Sequence, residues 1–149
     1  MLDTRYVAGL FDADGCVTII RAKRGETTRY VLRVDISNCY APVINALKAQ
    51  FGGSVVCRHL AGRKKRDPKE YGIRDTYTWI TSAQCARAFL RRVLPYLIVK
   101  REEATVALTF QRRLGLRPVD AVELAERDRL AHLCSSLKRR RYDLNGLSS

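Results

Sequence analysis

The sequence predicts an α+β domain with the element order α-β-β-α-β-β-α, followed by C-terminal helices. Three observations predict it. Stretches with apolar residues at helical spacing alternate with stretches of period-2 patterning. Glycine and proline fall between these stretches, at Gly15, Gly25, Gly52-Gly53, Pro95, Gly115 and Pro118. The length of 149 residues and the 46% hydrophobic content suit a single domain with one core.

Asp3 or Thr4 caps a first helix that runs to about residue 12, and Gly15 breaks it. Residues 16–24 and 29–37 read as two strands joined by a turn around Gly25-Glu26. In the second strand Leu32, Val34 and Ile36 alternate with Val31, Arg33, Asp35 and Ser37, which gives one apolar and one mostly polar face. Ala41-Pro42 opens a second helix, with proline at a permitted early position. Val43, Ile44, Leu47 and Phe51 form its buried stripe, and Gly52-Gly53 stops it. A third strand covers residues 54–60, a basic connection 61–72 and a fourth strand 74–81, in which Asp75, Tyr77 and Trp79 share a face. Helices follow at about 83–94, 99–114 and 119–138. In the last, Leu130, Leu133, Cys134 and Leu137 fall on one stripe.

The charge is far from balanced. Lys and Arg number 28 against 15 Asp and Glu, a formal charge of +13 that points to a polyanion such as nucleic acid. Arginine supplies 21 of the 28, and its planar fork suits phosphates and guanine edges. No segment approaches the roughly 20 consecutive apolar residues of a membrane span. The N-terminus, with Asp3 and Arg5, does not read as a signal peptide. The five cysteines lack paired spacing, so reduced thiols, mostly in the core of an intracellular protein, are expected.

Against this basic background one acidic segment stands out, Val7-Ala8-Gly9-Leu10-Phe11-Asp12-Ala13-Asp14-Gly15. Small residues at Gly9 and Ala13 permit close approach of another backbone. Carboxylates at the tip of a closely packed helix are costly unless a cation joins them. A calcium loop is excluded, because placing Asp12, Asp14 and Gly15 in its register puts Leu10 and Arg21 where acids are required.

The segment resembles the LAGLIDADG motif. Ala8-Gly9-Leu10 and Asp12-Ala13-Asp14-Gly15 fit directly, and Val7 and Phe11 are apolar replacements. With one motif copy and this element order, roughly residues 3–114 resemble the homodimeric branch of the LAGLIDADG homing endonucleases. The resemblance implies a curved antiparallel DNA-binding sheet. It also implies pairing of two motif helices through Gly9 and Ala13. Each helix would deliver Asp14 to an active site that uses Mg2+ or Mn2+, with the Ala13 carbonyl as second ligand. Asp12 matches the motif's structural acid and is expected to cap or hydrogen-bond locally.

Pro95-Tyr96-Leu97-Ile98-Val99-Lys100 resembles the family's proline-apolar-lysine segment. It implies that Lys100 stabilises negative charge on phosphate or helps to order the attacking water. Asn38 is the nearest match to a water-holding glutamine past the second strand. A basic residue often follows in the family, yet none occurs between 38 and 47. Either the water network is built differently or a basic side chain arrives from elsewhere.

The expected DNA-facing residues lie opposite the apolar face. They are Arg29, Arg33 and Asp35 of the second strand, with Val31 and Ser37, and Asp75, Tyr77 and Trp79 of the fourth. Arg21, Lys23 and Arg24 join them as a group at the end of the first strand. Arg63, Lys64, Lys65 and Arg66 suit phosphates at the flank of the site. A strand of eight residues spans ~26 Å, so two subunits would follow about 20 base pairs with approximate two-fold symmetry. The implied activity is hydrolysis of one phosphodiester bond per strand of double-stranded DNA, starting mobility of an intron or intein-like element. The alternatives are an RNA-binding intron maturase and a DNA-binding module without catalysis.

Overall fold

The first helix, α1 (Thr4–Asp14), begins at Asp3. The Asp3 carboxylate accepts from the backbone N–H of Arg5 at 2.8 Å and of Tyr6 at 3.3 Å. Two of the four donors that a helix start leaves unpaired are thereby satisfied. The computed structural model to which α1 belongs describes residues 1–58, 75–115 and 119–145. Gly15 ends α1 and opens β1 (Gly15–Arg24). A Cβ at Gly15 would lie 2.0 Å from the Phe11 ring and 2.5 Å from the Phe11 carbonyl oxygen. Only glycine lets the chain leave the helix over the buried Phe11 and pass straight into a strand.

β1 forms a hairpin with β2 (Thr27–Asn38), in register from Gly15 opposite Ile36 to Arg24 opposite Thr27. Gly25 takes the tight turn at φ 62°. Both strands are longer than the sequence patterning predicts, β1 by Gly15 at its start and β2 by pairing that runs from Thr27 to Asn38. α2 (Ala41–Phe51), β3 (Ser54–Arg58) and β4 (Thr76–Ser82) follow. After them come α3 (Ala83–Val93), a short 3-10 turn (Leu94–Tyr96), α4 (Arg101–Arg113) and α5 (Ala121–Asn145). The described strands form one antiparallel sheet in the order β1-β2-β4-β3.

Helices cover one face of the sheet. Val17, Ile19, Tyr30, Leu32, Val34 and Ile36 point to that face and join Val7, Phe11, Ile44, Leu47, Phe89, Leu90 and Phe110 in the core. Alternation leaves Thr18, Ile20, Val31, Arg33, Asp35 and Ser37 on the other, open face.

β4 corrects one expectation. Trp79 is fully buried, packed on Phe51 and Phe89, and its Nε1–H donates to the Gly52 carbonyl at 2.7 Å. It belongs to the helix-covered face, and Tyr77, two residues before it, packs against the same core. Thr76, Thr78 and Ile80 therefore occupy the open face of β4, with the Ser37 and Thr78 hydroxyls 2.8 Å apart. The physical reason is size, because a large aromatic gains more from burial than Ile80 or Thr78 does.

The cysteines also differ from expectation. Cys134 is buried, and burial pushes its thiol up to about 11. Cys39 and Cys85 are exposed, Cys16 and Cys57 half-buried. All five are free thiols. No described helix is long and apolar enough to cross a membrane.

Candidate functional site

The two acids at the tip of α1 have separate surroundings. Asp12 turns towards the start of α4. Its carboxylate accepts from the backbone N–H of Ile98 at 2.7 Å, Val99 at 3.2 Å and Lys100 at 2.9 Å. These partners lie 86 to 88 residues away, so Asp12 hydrogen-bonds across the fold and not, as the sequence leads one to expect, locally. An acid here also meets the positive end of α4. α4 starts at Arg101, two residues later than the sequence predicts, after Lys100 at φ −101° and ψ 16°.

Lys100 reciprocates. Its ammonium donates to the Asp12 carbonyl and lies 5.9 Å from the centre of the Phe11 ring. The residue is only 7% exposed, so its charge is held rather than displayed. Asp12 and Lys100 together join α1 to the α4 start through both backbone and side chain.

Asp14 is exposed. Asn38, at the end of β2, donates from Nδ2 to Asp14 Oδ2 at 2.9 Å. Asn38 Oδ1 accepts the Tyr40 N–H at 2.9 Å, which fixes the amide with its donor side towards the acid. The hairpin explains the meeting. β2 runs back antiparallel to β1, so its end lies beside the beginning of β1, at the tip of α1.

A pocket of about 220 Å³ opens at this tip, lined by Ala13, Asp14, Gly15, Cys16, Val17, Lys100, Glu103 and Lys138. The structure thus brings together the three expected site residues Asp14, Lys100 and Asn38. It adds Glu103, which the sequence did not single out, and Lys138. Lys138 opens the basic run Lys138-Arg139-Arg140-Arg141, which the sequence leads one to expect in solvent or, near DNA, on phosphates. The available signal was its position one turn after Cys134, on the flank of the predicted apolar stripe.

The oxygen donors suit a hard divalent cation. Asp14 is a carboxylate, and Ala13 lies among the last four residues of α1, whose carbonyls have no intrahelical donor. The negative end of the helix favours a cation as well. No group of three or more metal-binding side chains occurs among the described residues.

The open sheet face carries Arg33 and Asp35, whose Nε and Oδ1 are 3.4 Å apart, with Arg29 exposed beyond them. Arg58 of β3 is exposed and pairs with Thr76 on the same face, an arginine that the patterning did not bring forward. Arg21 differs from its group. It sits opposite Tyr30 on the helix side, 3.5 Å from Asp128 of α5, which also accepts from the Tyr30 hydroxyl at 2.7 Å. Burial and the Asp128 hydrogen bond raise the Tyr30 pKa, and the Tyr30 hydrogen bond lowers that of Asp128. Lys23 is exposed. The Arg24 side chain and Arg63, Lys64, Lys65 and Arg66 lie outside the described residues. On the exposed side of α1, Gly9 has no atom within 4 Å of where a Cβ would stand, and Ala13 is exposed. Tyr6, Tyr96, Ile98 and Val99 are exposed apolar residues of α1 and of the segment leading to α4.

A glycine-broken acidic helix that runs directly into an antiparallel sheet is the architecture of the LAGLIDADG homing endonucleases, and this chain has that fold. The homing endonuclease I-CvuI, in complex with DNA in the presence of 2 mM Mg, superposes with a TM-score of 0.73 at 20% identity, covering 90% of this chain and 80% of that one. The archaeal intron-encoded I-Vdi141I, complexed with DNA, gives 0.69 at 17% identity over 90% and 82%. The homing endonuclease I-TnaI gives 0.65 at 18% identity over 95% and 97%. No family model matches the sequence, and no curated protein does.

Proposed function

We propose that two copies of this chain form a site-specific endonuclease that cuts both strands of a long, approximately palindromic DNA site. The observation that carries this reading is the exposed Asp14, held by Asn38 beside a lysine-lined pocket at the end of an open sheet face. Support also comes from the DNA complexes of similarly folded homing endonucleases, one obtained with 2 mM Mg and one with 2 mM Ca.

In this reading α1 pairs with its copy through Gly9 and Ala13, and the exposed Tyr96, Ile98 and Val99 extend the contact. The Asp14 carboxylate and the Ala13 carbonyl would hold magnesium or manganese, which supplies Lewis-acid charge to the scissile phosphate. Asn38 keeps Asp14 in one rotamer and presents polar atoms to nearby water. Arg29, Arg33 and Arg58 read or grip DNA from the open face, and Asp35 orients Arg33. Lys23, Arg24 and the 63–66 segment contact phosphates. Such an enzyme acts inside a cell, in homing of its own intron.

The test is cleavage of a plasmid library of candidate insertion sites in Mg2+. The wild-type chain should cut one site in both strands, and Asp14→Asn should bind that site without cutting. DNA binding without cutting by the wild type would refute catalysis. Binding of intron RNA with no cut in DNA would make the chain a maturase.

A further inference from the structure

Lys138 lines the pocket, but the reading above gives its ammonium no task. α5 lies along β1, the edge strand, and its contacts there are on the helix-covered side. Asp128 meets Tyr30 and Arg21, and the Cys134 thiol reaches the Val17 carbonyl at 4.0 Å. One turn further on, Lys138 does something different. Its Nζ donates to Thr18 Oγ1 at 2.9 Å and to Cys16 Sγ at 3.1 Å. Cys16 and Thr18 pair with Asp35 and Arg33 and share their open face. Lys138 thus crosses the sheet edge and brings a charge from the helix layer to the pocket beside Asp14.

The partners of this charge are neutral. An ammonium has three protons, and two go to a hydroxyl and a thiol. Among the described residues no carboxylate pairs with it. A half-buried cation hydrogen-bonded only to neutral groups has lost hydration and regains Coulomb energy only from the Asp14 and Glu103 carboxylates that line the same pocket, so its third proton can take an anion. Lys100 differs, because its ammonium is bound to the Asp12 carbonyl and is almost fully buried. The pocket far exceeds the roughly 10–15 Å³ that one water needs, so a larger anionic group has room. No basic residue occurs between Asn38 and Leu47, so the segment after β2 and the start of α2 send no cation to this place, and Arg33 of β2, opposite Thr18, lies beside Asp35.

We propose that Lys138 binds the scissile phosphodiester of DNA, supplying from α5 the cation that the segment after β2 lacks. The inference rests on the endonuclease reading. No bond forms or breaks at Lys138. Its proton stays on Nζ, and its charge and N–H stabilise negative charge that grows on a phosphoryl oxygen during attack by water.

The experiment compares wild type, Lys138→Gln, Lys138→Met, Lys138→Arg and Asp14→Asn. Single-turnover cleavage is measured in Mg2+, DNA affinity in Ca2+ and thermal stability by circular dichroism. Lys138→Gln can still donate to Thr18 and Cys16 but has no charge. It should lose about 100-fold in cleavage rate, the usual effect of removing one preorganised donor, with affinity within about fivefold. Lys138→Met should lose at least as much, and Lys138→Arg should recover most of the rate. If Asp14→Asn is inactive while Lys138→Gln cuts at the wild-type rate, the proposal is overturned and the nuclease reading stands. A rate loss that merely follows a fall in melting temperature or affinity also overturns it. If the wild type cuts no DNA, both readings fail together.

Discussion

Removing the Asp12 carboxylate should destabilise the chain far more than removing that of Asp14. The Asp12 carboxylate accepts three backbone N–H groups at 2.7, 2.9 and 3.2 Å. Loss of a helix cap costs about 0.5–2 kcal/mol, and hydrogen bonds to a charged group about 1.5–3 kcal/mol each when well buried. Here the bonds to Ile98 and Val99 are exposed, and the three share one carboxylate. A total of about 2–3 kcal/mol is therefore expected for Asp12→Ala, or about 5–10 °C in melting temperature at this chain length. Asp12→Asn keeps one neutral acceptor and should lose about half as much. Asp14 is exposed and bonded to Asn38, whose Nδ2–H an amide oxygen also accepts. Asp14→Asn should therefore melt within about 1 °C of wild type, as exposed substitutions usually do. Thermal and urea unfolding followed by far-UV circular dichroism measures all three. If Asp12→Ala melts within about 1 °C of wild type, the three bonds contribute nothing to stability and Asp12 does not hold α4 to α1.

Two further outcomes follow from the geometry. Gly9→Gln places a side chain in open space, so each protomer should fold normally, while sedimentation should show a monomer and double-strand cleavage should be lost. A dimer of wild-type stability would exclude pairing through this face. Glu123 is buried between Arg113 at 2.8 Å and Arg127 at 3.0 Å. The Arg113 hydrogen bond, aided by Arg127, lowers its pKa against the opposing effect of burial. A lowered carboxylate pKa gives stability that is complete above the unfolded value and is lost as pH falls through the folded one. Glu123→Gln should cost about 3 kcal/mol near neutrality and show a flatter loss of stability on acidification, measured by urea melts between about pH 7 and 3.

Much of the site could be read directly because its parts are close in sequence or joined by one hairpin. Val7 to Gly15 carries the packing residues, the acid and the break, and antiparallel return of β2 brings Asn38 to Asp14. The two errors of face have a common origin. In β4 both faces offer apolar residues, Tyr77 and Trp79 on one and Ile80 on the other, so periodicity alone does not say which is inside. The room beside Phe51 and Phe89 decides for Trp79. In β1, Arg21 stays on the helix side because α5 presents Asp128 there, a partner 107 residues away that no local pattern shows. Asp12 posed a similar problem. Its side chain needed donors, but a sequence does not say whether those donors are three residues away or 86.

The separate fates of the two acids matter for assembly. Under the proposed pairing, two α1 tips meet near an axis. If Asp12 and Asp14 both faced that axis, four carboxylates would form six repulsive pairs. At ~5 Å and an effective dielectric of ~20, each pair costs roughly 3 kcal/mol. Asp12 instead turns away, into three N–H groups at the start of α4. Only one pair of facing acids remains, a repulsion that cations bound with DNA can offset. In that pairing the hydrogen bonds that lock α4 to α1 would also set the charge of the proposed cleavage site, one acid of the motif making the other tolerable.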